Sequence, residues 1–267
     1  MVRSNGAVRD AERAPLLWLE DDLLEIDGQR YLTTSNTQTM ATTPSTPERL
    51  LLAKARDHVE CFSERMRGFR ADAILELGVF KGGSTVFLHQ MFRPSTLIAV
   101  DIDPDPVPAL DAYIERHRLD AVIRRHYGVD QSDGPRLDAI LEAELGDERL
   151  DLVVDDASHA YPETRATFES LFPRLRPGGR YVIEDWAWAH FDQDLWQRDG
   201  GYWRERPALT NLVVEAMIVL GSFSDIVAEV HVEADFAEIT RGARDLPPRL
   251  DLSSMYLNRG NRFRPLL

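Results

Sequence analysis

Between residues 73 and 185 the chain alternates short apolar runs with longer amphipathic stretches, and this alternation limits the fold more than any other feature. The runs are Ala73-Ile-Leu-Glu-Leu-Gly, Leu97-Ile-Ala-Val-Asp, Ala121-Val-Ile-Arg, Leu150-Asp-Leu-Val-Val-Asp and Arg180-Tyr-Val-Ile-Glu-Asp. Helices are predicted between them, near 84–92, 107–118, 134–145 and 161–175. Regular strand–helix alternation implies a parallel sheet with helices on both faces. Pro177-Gly-Gly before Tyr181 reads as a turn that ends a helix and starts a strand. A further helix near 208–222 and apolar strands near 226–232 and 252–257 bring the strands to seven. The predicted class is α/β: a doubly wound, mostly parallel seven-stranded sheet.

Residues 1–45 read differently. They hold a Thr/Ser/Asn cluster, Thr33 to Pro44, and little periodicity, so they are expected to form an N-terminal arm or an active-site flap. The main domain is expected over 46–267. Its first helix is predicted to start at Thr46 as N-cap, with Pro47 next and apolar residues at Leu50, Leu51, Ala53, Val59 and Phe62.

Composition matters mainly for what it excludes. The 267 residues carry a net charge of −14, which argues against nucleic acid or an anionic membrane as partner. A single cysteine, Cys61, excludes a disulfide scaffold and points to a reducing compartment. Pro15-Leu-Leu-Trp-Leu is too short for a signal peptide, and Val213 to Gly221 contains Glu215 and falls short of a bilayer span. A soluble, cytoplasmic protein is expected.

Several predicted strands end in an acid or a glycine: Glu76-Leu-Gly78, Asp101, Asp155-Asp156 and Glu184-Asp185. Ligands of open parallel sheets bind beyond the carboxyl ends of the strands, so this convergence marks a site. Glu76-Leu-Gly-Val-Phe-Lys-Gly-Gly-Ser-Thr85 is a glycine loop between strand and helix, where backbone can approach a ligand closely. Phe80 stands where a dinucleotide loop needs its second glycine, which disfavours NAD. Asp101 ends the next strand and suits a ribose diol, because a carboxylate can accept from both hydroxyls. Asp155-Asp156 and Glu184-Asp185 bring carboxylates together on adjacent strand ends as a hard, all-oxygen set, which favours Mg²⁺ over zinc. His159 follows Asp156 closely and is the candidate general base.

Together these motifs resemble class I S-adenosylmethionine-dependent methyltransferases with a Rossmann-like sheet. Asp-Asp-Ala-Ser-His159, followed by Phe172-Pro-Arg-Leu-Arg-Pro-Gly-Gly-Arg-Tyr-Val-Ile-Glu-Asp185, is most similar to the macrocin and mycinamicin type of metal-dependent sugar O-methyltransferase. The resemblance covers roughly 70–190. It implies that Glu76, Gly78 and Ser84 line the methionine end of the cofactor and that Asp101 holds the ribose. It places Asp130 and Gln131 near the adenine, Mg²⁺ on Asp156, Glu184 and Asp185, and the base at His159, where catechol-type enzymes carry a lysine. Asp155 would orient its neighbour.

The implied reaction is Mg²⁺-dependent transfer of a methyl group from S-adenosylmethionine to a hydroxyl of a sugar or glycoside. Two alternatives stay open: a catechol-like natural-product acceptor, or a cephalosporin-hydroxylase-like relative without methyl transfer. Four of the five tryptophans follow the acidic residues (Trp186, Trp188, Trp196 and Trp203), which suits a sugar face, another apolar acceptor or a subunit interface. Relatives of this kind are often oligomers, so a homo-oligomer with a small polyol or glycoside acceptor is expected.

Overall fold

A computed structural model describes residues 14–255 and 257–265. The chain runs through β1 (Leu17–Glu20), β2 (Leu23–Ile26), β3 (Gln29–Thr33), α1 (Thr37–Thr42), β4 (Arg49–Leu52), α2 (Arg56–Arg65) and β5 (Ala73–Leu77). It continues with α3 (Gly83–Phe92), β6 (Thr96–Val100), α4 (Pro108–His117), β7 (Ile123–His126), α5 (Gly134–Leu145), β8 (Leu150–Asp155) and α6 (Tyr161–Leu171). The last elements are β9 (Leu175–Glu184), α7 (Asp194–Gln197), α8 (Thr210–Ser222), β10 (Val227–Val232) and β11 (Phe236–Arg241).

The main sheet has seven strands in the order β10-β11-β9-β8-β5-β6-β7. β9, β8, β5, β6 and β7 pair in parallel, while β11 is antiparallel to both β9 and β10. Successive residues of β5 serve opposite faces. Leu75 and Leu77 join a core with Leu137, Leu141, Phe168 and Leu212 of α5, α6 and α8; Ile74 joins one with Phe62, Val86 and Leu110 of α2, α3 and α4. A strand covered on both faces reads as a continuous apolar run, and that is what makes it legible.

From residue 14 on the structure changes the N-terminal reading, while residues 1–13 of the expected arm lie outside the described residues. Residues 17–52 form a second, four-stranded sheet, β1-β2-β3-β4, in which β3 and β4 are parallel. It crosses the boundary drawn at 45. Its Leu24, Ile26, Tyr31, Leu50 and Leu52 share one core with α2, α3 and α4. The β2–β3 hairpin turns on Asp27-Gly28, both with positive φ (47° and 80°), the type I′ arrangement that Asp-Gly favours. Residues 49–52 are strand rather than helix, and α2 starts only at Arg56. The apolar run Leu50-Leu51-Leu52-Ala53 fits either structure, and pairing with β3 decides for strand. Gly83, the first residue of α3, lies so close to β4 that a Cβ there would sit 2.0 Å from the Leu51 carbonyl oxygen.

Two other readings change. The segment near 252–257 contains a 3₁₀ turn, Leu252–Ser254, and the seventh strand is β11 instead. Glu238 breaks the apolar look of β11, yet it is fully buried between Arg65 (2.7 Å) and Arg180 (2.9 Å). Pro177-Gly-Gly lies inside β9, where the pairing with β8 shifts register after Leu150.

Candidate active site

The predicted residues gather around the carboxyl ends of β5, β6, β7, β8 and β9. Gly78 makes this closeness possible: its φ is +93°, and a Cβ there would lie 2.0 Å from the Asp156 carbonyl oxygen. The Asp156 N–H in turn donates to Leu77 O at 2.9 Å. A cavity of about 460 Å³ opens here, lined by Gly78, Asp101, Asp130, Gln131, Asp156 and Ser158 among others, with Phe80, Ile102, Tyr202 and Trp203 at its apolar walls.

Asp101 is already engaged. Its Oδ2 accepts from Val79 N (2.7 Å) and Phe80 N (2.8 Å), and Oδ1 accepts from Asp103 N (2.8 Å). A carboxylate has about four acceptor positions, so it holds the glycine loop and keeps capacity for one more donor. Glu76 is buried beside the loop and accepts from Thr85 Oγ1 at 2.6 Å. Its Oε1 makes no hydrogen bond among the described residues. Burial pushes the Glu76 pKa up to about 7. Ser84, half-buried, starts the same helix turn. Asp130 is exposed, lines the cavity and accepts from Ser132 N (2.8 Å) and Oγ (2.7 Å). Gln131 is buried; it donates to Asp155 (3.2 Å) and Thr167 (3.2 Å) and accepts from Ser158 N (2.7 Å), so it supports the loop after β8. Asp155 also accepts from Tyr181 Oη at 2.6 Å, which ties it into this network.

Asp156, His159 and Asp185 offer donor atoms within 4.8 Å of one another, a group able to hold a metal ion. Two carboxylates with room for water or an acceptor oxygen fit Mg²⁺, which keeps several non-protein oxygen ligands. Glu184 falls outside this group: its Oε2 accepts from Lys54 Nζ, which also donates to Asp156 Oδ2 at 3.0 Å. His159 (φ 53°) and Asp185 (φ 55°) both sit in the left-handed region. Strain of that sort costs about 1–3 kcal/mol per residue and concentrates at functional sites. Burial and the charge of Asp156 push Asp185 up to about 7. For Asp156, burial acts in the other direction and is outweighed, chiefly by Lys54, so its pKa stays below the ordinary value. Burial lowers His159, which favours the neutral imidazole.

A second cavity of about 310 Å³ begins at His159 and Asp185 and is walled by Trp186, Trp188, Trp196 and Trp203. The Trp188 ring lies 4.1 Å from the His159 ring, centroid to centroid, and 4.7 Å from Trp196. Trp203 and Arg206 line both cavities, so one wall separates them.

Sequence reasoning missed Lys54 and His58. His58 is buried, and its Nε2 lies 3.7 Å from Glu184 Oε2. A signal for Lys54 exists: the chain holds only two lysines, Lys54 and Lys81, all its other cations being arginine. Both reach this region. Lys81, in the glycine loop, donates to Met40 O and to Thr43 O (2.8 Å), and Ser45 Oγ donates to Lys81 O (2.7 Å).

Residues 75–186 match the family model described as a methyltransferase domain. Demethylmacrocin O-methyltransferase of Streptomyces fradiae is 31% identical over 145 residues, which is 50% of this chain and 33% of the relative. The 8-demethyl-8-alpha-L-rhamnosyl tetracenomycin-C 2'-O-methyltransferase of Streptomyces olivaceus is 37% identical over 124 residues, 43% of this chain and 29% of the relative. The chain thus spans about a third of the length of these relatives. Among solved structures, the MycE methyltransferase in complex with Mg, SAH and mycinamycin VI superposes with a TM-score of 0.53 at 27% identity, covering 68% of this chain and 49% of that one.

Proposed function

We propose, for a chain whose residues 75–186 match a methyltransferase domain, that it moves a methyl group from S-adenosylmethionine to a sugar hydroxyl of a glycoside, with Mg²⁺ at the acidic cluster. The observation that carries this reading is the meeting of two cavities at one point. The glycine-loop cavity and the tryptophan-walled cavity share a wall, and Asp156, His159 and Asp185 stand between them.

In this reading Glu76 and Ser84 face the methionine end of the cofactor and Gly78 gives it clearance. Asp101 accepts from the ribose, and Asp130 and Gln131 stand at the adenine. Asp156 and Asp185 would hold the magnesium ion, with Glu184 as a third carboxylate behind them. When bound, that ion supplies Lewis acidity that makes the acceptor hydroxyl easier to deprotonate. His159 takes the proton at its imidazole nitrogen, and Trp188 fixes the ring for that transfer. Held in line, the deprotonated oxygen would bond to the methyl carbon as the bond from that carbon to the sulfonium sulfur breaks, with S-adenosylhomocysteine leaving, so positioning supplies much of the rate. Lys54 does not serve as the base: burial opposes its charge, but Asp156 and Glu184 outweigh that and keep it protonated.

The tryptophans suit the apolar face of a sugar ring. The exposed Leu17 and Leu19 on edge strand β1 are in keeping with a homo-oligomer, and the lone exposed Cys61 with a cytoplasmic setting. Among the described residues no helix is long and apolar enough to cross a membrane. The test is methyl transfer to a panel of sugars and glycosides, read by mass spectrometry, with and without EDTA. A mass gain of one methyl group, lost with EDTA and restored by Mg²⁺, is expected; activity indifferent to EDTA would overturn the metal assignment.

A further inference from the structure

We propose that Lys54 is the resident counter-cation of the acidic cluster, fixing Glu184 and Asp156 and thereby setting how tightly Asp156 and Asp185 hold a divalent ion; this rests on the divalent-ion reading above.

Lys54 follows β4, and its backbone N–H donates to Leu52 O at 2.8 Å, so the ammonium arrives from the N-terminal sheet. The residue is only 6% exposed and reaches two carboxylates that are far away in sequence, Asp156 and Glu184. Asp156, Glu184 and Asp185 side by side would repel one another in a poorly solvated place. A fixed positive charge relieves that repulsion before any ion arrives. Lysine suits the role because its charge is compact and fits between two carboxylates, whereas a planar guanidinium is broader. His58 is buried beside the carboxylates but stands farther off, its Nε2 3.7 Å from Glu184 Oε2.

The arrangement has two consequences. Glu184 is committed to Lys54 and stands outside the donor group of Asp156, His159 and Asp185. An ion bound at that group must also tolerate an ammonium 3.0 Å from one of its ligands. Like charges at such short range in a protein cost several-fold to many-fold in affinity. Lys54 should therefore weaken the site for a divalent ion while keeping it open and ordered in the ion's absence.

Mn²⁺ binding to the full chain, followed by electron paramagnetic resonance, tests this with Lys54→Met, Glu184→Gln, the double variant and Asp185→Asn. Lys54→Met is expected to bind Mn²⁺ at least about tenfold more tightly than the parent. Glu184→Gln should bind more weakly, and the double variant should return towards the parent, as a coupled charge pair requires. Lys54→Met binding no tighter than the parent would overturn the proposal, provided Asp185→Asn loses the ion. If the parent binds no Mn²⁺ and Asp185→Asn changes nothing, the divalent-ion reading itself fails. Thermal melting covers a Lys54→Met chain that folds poorly. Recovery of its melting transition by millimolar Mn²⁺ supports the counter-cation role, and a loss of stability that is the same with and without Mn²⁺ overturns it.

Discussion

Glu76 carries a value that its neighbourhood alone explains. Burial raises it from the ordinary 4.5 to about 7, so the folded protein favours the protonated acid more than the unfolded chain does. Its contribution to stability is therefore complete below pH 4.5 and is lost as the pH climbs through 7. A cationic amine placed on its unpaired Oε1 reverses that preference. Affinity for S-adenosylhomocysteine should then rise between pH 5.5 and 7, approaching about tenfold per pH unit, and Glu76→Gln should flatten the profile; calorimetric titration at several pH values reads both. His159 makes a separate prediction. His159→Ala should lower turnover by about 10²–10⁴-fold while leaving S-adenosylhomocysteine binding within about twofold, because the ring stands at the junction of the cavities and donates nothing to the glycine loop. Full turnover in that variant would remove His159 from the mechanism. At this scale the acids at strand ends were legible, since core packing gives no reason for charges there. Lys54 and His58 were not, because the contacts that define them cross more than a hundred residues of sequence. Only the scarcity of lysine marked Lys54 out.

Among the elements, the central strands covered on both faces and the longer periodic helices were legible, as was edge strand β10, whereas β11 and the N-terminal sheet were not. β5, β6 and β8 appear as apolar runs because each faces two helix layers, and α3, α4 and α5 follow from their period. The N-terminal sheet escaped for three reasons. Its strands are four or five residues long, its Asp27-Gly28 turn joins strands with little apolar alternation around it, and β4 resembles the start of a helix. β11 escaped because Glu238 is neutralised by two arginines that no local pattern announces. The docking of β4 on α3 gives a direct test. Gly83→Ala puts a methyl group 2.0 Å from a backbone oxygen, where no side chain can swing away. A loss of about 3 kcal/mol is expected, which for a chain of this size lowers Tm by roughly 6–12 °C. Gly221→Ala, on the exposed side of α8 with nothing within 4 Å of the added Cβ, is the control and should be neutral or stabilising by up to about 1 kcal/mol. Equal effects in the two variants would show that β4 does not seat on α3 in solution.

For the whole molecule, the charge of −14 now divides into parts. A few acids serve the glycine loop or gather in the cluster around Lys54, and others, such as Glu215 and Glu238, are buried partners of arginine. Most of the other acids among the described residues are exposed or half-buried. Both lysines lie where the N-terminal sheet and the segment after it touch the main sheet, Lys81 at the glycine loop and Lys54 at the acidic cluster. The two sheets therefore meet at the ligand sites, and ligands bound there should stabilise the molecule as one body. A ligand present at about 100 times its Kd adds about 2.7 kcal/mol. At about 2–4 °C per kcal/mol, S-adenosylhomocysteine should raise Tm by roughly 5–11 °C. Mg²⁺ should add a smaller rise that Asp185→Asn abolishes, because the ion bears on the cluster and not on the glycine loop. NAD should add nothing, since Phe80 occupies the place where a dinucleotide needs a second glycine for its pyrophosphate. Differential scanning calorimetry with each ligand alone and in pairs decides the matter. A single transition that shifts with S-adenosylhomocysteine fits two sheets folding as one unit; two transitions, of which only one moves, would mean that the N-terminal sheet melts independently of the cofactor cavity.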